Sequence, residues 1–300
     1  MTFPLVPRGR LVGLSFGTMP SLRRGAGSDV AGSRPYHTGD DIHAIDWAAS
    51  ARLSLARQRD EFIVRERFAE EAPRVVLVAD RRPEMAAFGS SLPWLDKPEA
   101  MRHAIEFILQ STALVGGFVG YLDFADGEPW WLRPQGGRHL GELREERLPS
   151  RVFDAPEDGV ARSLEYLAQH PRAVTPGSFV FCLSDFLEPP RDESWLTALE
   201  HRWDIVPVVI QDPTWEQSFP DVSGIVVPFR DPRTGGIVDV RVTRREAEAR
   251  RRANKERLET LLADLEAIDL DPVLVSSDDP VEILAAFLEW ADLRRARRAA

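Results

Sequence analysis

An α/β fold built on a mainly parallel sheet, with helices on both faces, is predicted by three observations. Short β-branched runs of strand length recur along the chain, amphipathic helical patterns separate them, and the alternation is regular from residue 75 onward. Before that point, residues 1–72 are rich in Gly, Arg and Asp and hold few long apolar runs, which predicts an extended or β segment with a boundary near Pro73. Residues 73–300 then form a single α/β domain. Its first strand, Val75-Val76-Leu77-Val78-Ala79-Asp80, is continuously apolar rather than alternating, as suits a strand buried on both faces. The first helix starts at Asp96-Lys97-Pro98-Glu99, an N-cap with a first-turn proline and a capping glutamate, and stops at Gly116-Gly117. A second strand follows at 118–124, and residues 128–133 read as an edge strand soon after it. Asp154-Ala155-Pro156-Glu157 repeats the helix-start signal, with Val160, Leu164 and Leu167 as its apolar stripe. Strands at 178–184, 205–210 and 272–276 alternate with helices at 193–202, 244–267 and 280–298. Residues 224–242 form a hairpin turning at 231–236.

Composition narrows the functional classes. With 38 basic and 48 acidic residues the 300-residue chain carries a formal charge of −10, which disfavours nucleic acid and anionic membranes as partners of the whole molecule. The single cysteine, Cys182, lies in an apolar run, which excludes an intramolecular disulfide framework and reads as a buried hydrophobe. The longest uncharged stretch contains Gln110, Ser111, Thr112 and several glycines and is too short to span a bilayer, so no direct membrane insertion is expected. No targeting pattern opens the chain, and a cytoplasmic location is expected. Lysine occurs only at Lys97 and Lys255, a usage attributed to coding bias.

Short motifs carry little chemistry. Gly13-Leu14-Ser15-Phe16-Gly17 has the spacing of a hydrolase nucleophile elbow but lacks the flanking strand and helix. The run from Gly27 to Arg34 has phosphate-loop glycines, with Ser33 where a lysine is needed. His37, Asp40, Asp41, His43 and Asp46 could hold a divalent metal for assisted hydrolysis; flanking Arg23, Arg24, Arg34, Arg52, Arg57 and Arg59 favour carboxylate–guanidinium pairing instead. Trp47 reads as a packing anchor. Arginines 294, 295, 297 and 298 form a basic tail suited to acidic partners or to the last helix's dipole.

One pattern is long. Arg34, Tyr36, Gly39, Asp40, Asp41, Ile45, Asp46, Trp47, Ser50, Ala51 and Arg52 stand in an order that resembles the signature of the domain of unknown function 58 family, in which it precedes a von Willebrand factor A-like domain. The resemblance implies a non-enzymatic interaction protein, a co-factor of a MoxR-type AAA+ ATPase in protein assembly or remodelling. Other von Willebrand A or membrane proteins of the same gene cluster are further expected partners. Metal-binding von Willebrand A domains hold Mg²⁺ with Asp-x-Ser-x-Ser after the first strand. Here that segment reads Asp80-Arg81-Arg82-Pro83-Glu84, so Asp80 remains while Arg82 and Glu84 replace both serines. Ser184 and Asp185 should lie beside Asp80 at the switch point of the sheet. The ligand set is degenerate: no cofactor is expected, Mg²⁺ should bind weakly at best, and Arg82 can pair with Asp185 in place of the cation. Two alternatives stand beside the adapter: a metal-dependent ligand-binding domain resting on Asp80 and Asp185, and a hydrolase using Asp40, Asp41, Asp46 and His37. Expected contact surfaces are residues 34–52 and the strand-end loops at 81–93 and 186–192.

Overall fold

The structure, a computed structural model, describes residues 1–8, 19–24, 30–37, 40–87, 95–136 and 140–299. Ser15, the Gly27–Ser28–Asp29 stretch and all of residues 88–93 lie outside the described residues, as does Gly39.

The family-like segment folds as a small unit rather than as an extended strap. Strands β1 (Met19–Arg24) and β2 (Val30–Pro35) flank β3 (Ile63–Glu71) in a three-stranded antiparallel sheet of order β1-β3-β2. Between β2 and β3 runs helix α1 (Trp47–Arg57), which the sequence reading does not foresee. The signal is present: Asp46 caps the helix by accepting from the Ala49 N–H at 3.0 Å, and an alanine-rich stretch follows. Its apolar periodicity is too weak to announce a helix.

The large sheet starts with β4 (Arg74–Ala79), followed by α2 (Lys97–Leu114), β5 (Phe118–Asp123), β6 (Trp130–Gln135) and α3 (Gly159–Ala168). It continues with β7 (Phe179–Ser184), α4 (Asp192–Glu200) and β8 (Asp204–Ile210). A hairpin of β9 (Ile225–Arg230) and β10 (Ile237–Val242) then leads into α5 (Arg244–Ala267), β11 (Val273–Val275) and α6 (Pro280–Ala299). The six strands lie in the order β11-β8-β7-β4-β5-β6, all parallel except the antiparallel edge strand β6. This is the doubly wound, mainly parallel sheet expected from the continuous apolar runs. Chain connectivity reverses between the central neighbours β4 and β7, registered as Val76 with Val180.

Alternate side chains of each strand feed two cores. Val75, Leu77, Phe181, Leu183 and Val208 pack with α2 and α6, whereas Val76, Val78, Val180, Cys182 and Ile205 pack with α3, α4 and α5. Each full burial of such a side chain contributes about 1.5–3 kcal/mol. Cys182 is fully buried, and burial pushes its thiol pKa up, away from reactivity.

Two element signals resolve differently in three dimensions. The helix expected to start at Asp154 begins at Gly159, because Asp154 instead accepts the Asp126 N–H at 2.8 Å. The basic tail is partly internal cross-linking: Arg294 is buried, while Arg295 and Arg297 remain 56% and 59% exposed. Arg294 reaches the Asp204 carboxylate, the Val6 carbonyl at 3.0 Å and Asp271 at 2.9 Å, and Arg297 pairs with Asp271. Residues 1–8 belong to this end of the α/β unit: the Phe3 ring stacks on Phe287 at 4.5 Å, and the Arg8 N–H donates to Asp204 at 2.8 Å.

Gly120 explains how the edge strand sits. A Cβ there would lie 2.8 Å from the Leu132 carbonyl oxygen and 2.9 Å from the Pro134 ring, where the β5–β6 register shifts. Gly120→Ala is expected to destabilise the fold by about 1–3 kcal/mol through this overpacking. Urea unfolding checks it, and an unchanged midpoint contradicts the close approach.

Candidate functional site

The carboxyl ends of β4 and β7 place Asp80, Ser184 and Asp185 side by side, with the Asp80 N–H donating to the Leu183 carbonyl at 2.9 Å. Phe186 follows in the left-handed region, at φ 47°, so the chain turns sharply just after Asp185. Between the two aspartates lies the guanidinium of Arg82. Its Nε donates to both Asp80 oxygens at 3.1 and 2.9 Å, and its Nη2 reaches Asp185 Oδ1 at 3.1 Å. Ser184 Oγ donates to Asp80 Oδ2 at 2.6 Å. A second cation completes the cluster: Lys97 Nζ, from the first turn of α2, donates to Asp185 Oδ2 at 2.8 Å and Glu216 Oε1 at 2.7 Å. Arg82 and Lys97 are each only 2% exposed.

Charges this deep persist because each is paired. Burial alone would lower the pKa of Arg82, but Asp80 and then Asp185 raise it overall. Burial likewise opposes the Lys97 charge, and the carboxylates of Asp185 and Glu216 more than offset it. For Glu216 burial dominates and pushes the pKa up against the pull of Lys97. Neighbouring Asp212 pairs with no cation among the described residues; it accepts backbone N–H bonds from Leu95, Thr214 and Trp215.

These residues do not fit a divalent metal. Both oxygens of Asp80 are engaged, and the space between the carboxylates holds two fixed positive side chains. An Mg²⁺ ion would have to displace a buried guanidinium and accept repulsion from a buried ammonium. The rest of the Asp80–Glu84 loop is also consumed. Arg81 stands 3.1 Å from the buried Asp123, which accepts from Arg147 as well, and Glu84 pairs with Arg233 at the tip of the β9–β10 hairpin at 2.6 Å. Tyr121 joins that second cluster by donating to Asp123 at 2.8 Å.

The family-like segment lies on its own small sheet, and its polar residues face one another. Arg34 makes a bidentate pair with Asp40, at 2.6 and 2.7 Å, and the His37 N–H donates to the same carboxylate. The Arg34 hydrogen bonds hold Asp40 well below the usual carboxylate range. Asp41 caps a short 3-10 turn by accepting from the His43 N–H. Asp46 caps α1 and accepts from Arg65 Nε at 2.8 Å, the bond chiefly responsible for lowering its pKa. Ser50 Oγ donates to the Asp46 carbonyl and accepts the Ile63 N–H at 2.8 Å, tying α1 to β3. The Tyr36 N–H donates to the Phe62 carbonyl, and Arg52 turns back to the Ala48 carbonyl. Among the described residues no group of three or more His, Cys, Asp or Glu side chains is arranged to hold a metal. The hydrolase reading therefore fails on geometry: Asp40, Asp41 and Asp46 face arginines and backbone N–H groups rather than a common pocket. Trp47 also departs from expectation. It is 64% exposed, touching the Phe62 ring edge-on at 6.1 Å, so it is not a buried anchor.

Sequence reasoning passes over Lys97, Glu216, Asp123 and Arg147. A signal exists for the first, one of two lysines in a chain that otherwise uses arginine. The others depend on contacts spanning 24 to 119 positions in sequence.

The family model described as "Protein of unknown function DUF58" matches residues 32–260, which take in most of the signature and the whole Arg82–Lys97 cluster. The chain belongs to the DUF58 family. DUF58 relatives include the uncharacterized proteins Mb1516 of Mycobacterium bovis and Rv1480 of Mycobacterium tuberculosis. Each is 24% identical over 256 residues, spanning 79% of this chain and 70% of the relative. Solved structures with some likeness are BatB from Bacteroides thetaiotaomicron and an aerotolerance-related membrane protein from Bacteroides fragilis. The first has 15% identity and a TM-score of 0.41 over 75% of this chain and 99% of that one, the second 14% and 0.43 over 74% and 99%. No described helix of this DUF58 chain is long and apolar enough to cross a membrane.

Lys97→Met leaves Asp185 and Glu216 buried without their shared cation and is expected to cost about 3–5 kcal/mol at neutral pH. The deficit should shrink on acidification. Glu216 already titrates above an ordinary glutamate, so as pH falls the folded variant takes up its proton before the unfolded chain does and gains stability in that window. Urea unfolding across the acid range checks this; a deficit independent of pH contradicts the assignment.

Proposed function

We propose that this DUF58 chain is a non-enzymatic, cytoplasmic adapter that engages a MoxR-type AAA+ ATPase through its signature segment and works without a metal. The observation that carries the reading is the contrast within residues 34–62. Every carboxylate the signature supplies among the described residues is spent on internal pairing or capping, while large apolar side chains are left in solvent. Trp47, Ile42, Leu55 and Phe62 are 64%, 61%, 81% and 44% exposed. Trp47, Ala51 and Leu55 follow one another at four-residue intervals along α1 and share a face, and the small Ala51 leaves the tryptophan accessible. Exposed aromatic and aliphatic side chains on a rigid, internally braced scaffold suit a protein interface and have no role in acid–base or nucleophilic chemistry.

The signature's polar residues take on a positioning role in this reading. The Arg34–Asp40 pair, the Asp46 cap and Ser50 fix α1 against β3, so its outer face is presented without conformational freedom that binding would otherwise have to remove. The same logic makes other von Willebrand A or membrane proteins of the gene cluster secondary partners, reached through the ATPase or through the strand-end loops. A metal-dependent ligand-binding role has no support in the donor set around Asp80.

The test is capture of a MoxR-type AAA+ ATPase from the same organism, with and without ATP. Wild-type protein should retain it, and Trp47→Ala should weaken the complex by about 2 kcal/mol, or roughly thirtyfold, while leaving thermal unfolding unchanged because the ring is exposed. No association in either nucleotide condition would overturn the proposal.

A further inference from the structure

The opposite end of the large sheet, where β4 and β5 begin, carries a cleft of about 630 Å³. Three arginines line it: Arg74 from the start of β4, Arg133 from β6, and Arg172 from the segment between α3 and β7. His170 stands beside them, and Phe118 and Pro134 supply apolar surface. None of the side chains lining it is acidic among the described residues. The chain carries a net charge of −10, and many of its other arginines lie against carboxylates, among them Arg34, Arg57, Arg82, Arg147 and Arg294. Arg74 is half-buried and oriented, its Nη1 donating to the carbonyls of residues 172 and 173 at 3.3 and 3.2 Å, which leaves the rest of its guanidinium unspent. Arg133 and Arg172 are exposed, with no ion pair or side-chain hydrogen bond among the described residues. His170 Nδ1 is held by the Tyr166 carbonyl at 2.8 Å, so its Nε2 is the ring atom left for a ligand.

We infer that this cleft binds an acidic, extended segment of a partner protein, at a site separate from the Trp47 face and independent of the proposed ATPase contact. Guanidinium groups pair bidentately with carboxylates, and several of one sign in a concave, partly apolar surface focus the field on an incoming anionic chain. An extended peptide suits the location because β6, which lines the cleft with Arg133 and Pro134, is an edge strand that among the described residues pairs only with β5. The pairs form at a solvent-exposed surface, so binding is of moderate strength and salt-sensitive.

The experiment is fluorescence-anisotropy titration of the full chain with a labelled octapeptide of alternating Glu and Asp, beside its Lys/Arg counterpart and with inorganic phosphate as competitor. The acidic peptide should bind, the basic one should not, and Arg133→Glu/Arg172→Glu should weaken binding about tenfold or more. Arg133→Gln/Arg172→Gln, which removes charge without reversing it, should give a smaller loss in the same direction. Trp47→Ala should bind the peptide as wild type does, so this site and the ATPase site fail or stand separately. Absence of acidic-peptide binding, equal binding by both double variants, or full displacement by phosphate at concentrations matching the peptide would each overturn the inference.

Discussion

Arg82 lies between Asp80 and Asp185, and Lys97 lies between Asp185 and Glu216, so five buried charged side chains at the switch point of the sheet form one alternating chain of carboxylates and cations. Much of the architecture depends on that chain staying intact. It joins the ends of β4 and β7 to the first turn of α2 and to the loop after β8, and the removal of one cation leaves carboxylates that burial cannot tolerate. Neighbouring charges of the same loop extend the bracing. Arg81 shares Asp123 with Arg147 from the π-helical turn Leu143–Arg147, and Glu84 holds the tip of the β9–β10 hairpin through Arg233. Where the von Willebrand A-like resemblance implies metal ligands, the Asp80–Glu84 loop instead supplies ties between the sheet and its surroundings.

That substitution changes what the site can do. A divalent ion with an open coordination position can recruit a partner's carboxylate, and its affinity can be exchanged or regulated. A guanidinium and an ammonium covalently attached to the chain, each 2% exposed, cannot leave and do not present an open position to solvent. The switch point therefore acts as a permanent structural fastening, and the two recognition surfaces proposed above lie elsewhere, on the apolar face of α1 and in the arginine-lined cleft at the far end of the sheet. The second buried network, at Asp204, Asp271, Arg8 and Arg294, gives that far end a comparable fastening by fixing residues 1–8 against α6.

The large sheet was legible in the sequence because parallel strands buried on both faces must be continuously apolar, and residues 75–80, 178–184 and 205–210 are. The hairpin was legible from its Asp-Pro-Arg-Thr-Gly-Gly turn. Helix α1 is hidden because it buries only Ser50 and so shows little apolar periodicity, and its N-cap, Asp46, reads as an ion-pair partner, which it also is, to Arg65. The pairing of Arg82 with Asp185 could be anticipated, since an arginine at a cation position beside two aspartates has few other partners. The role of Lys97 could not, because its helix-start context explains the residue locally while the contacts that matter lie 88 and 119 positions away. Trp47 reads as a packing anchor because a tryptophan in a dense signature suggests a core, whereas the fold leaves it 64% exposed.

Thermal unfolding of the purified chain, first stripped with EDTA and then titrated with Mg²⁺, tests the central claim most directly. A ligand held by the native state at a hundredfold excess over its Kd stabilises by about 2.7 kcal/mol, enough to shift the midpoint by several degrees. A switch point fastened by Arg82 and Lys97 predicts one unfolding midpoint, the same in EDTA and across the titration. A saturable rise with Mg²⁺ that Asp80→Ala removes would show that the ion, not the two side chains, completes the site.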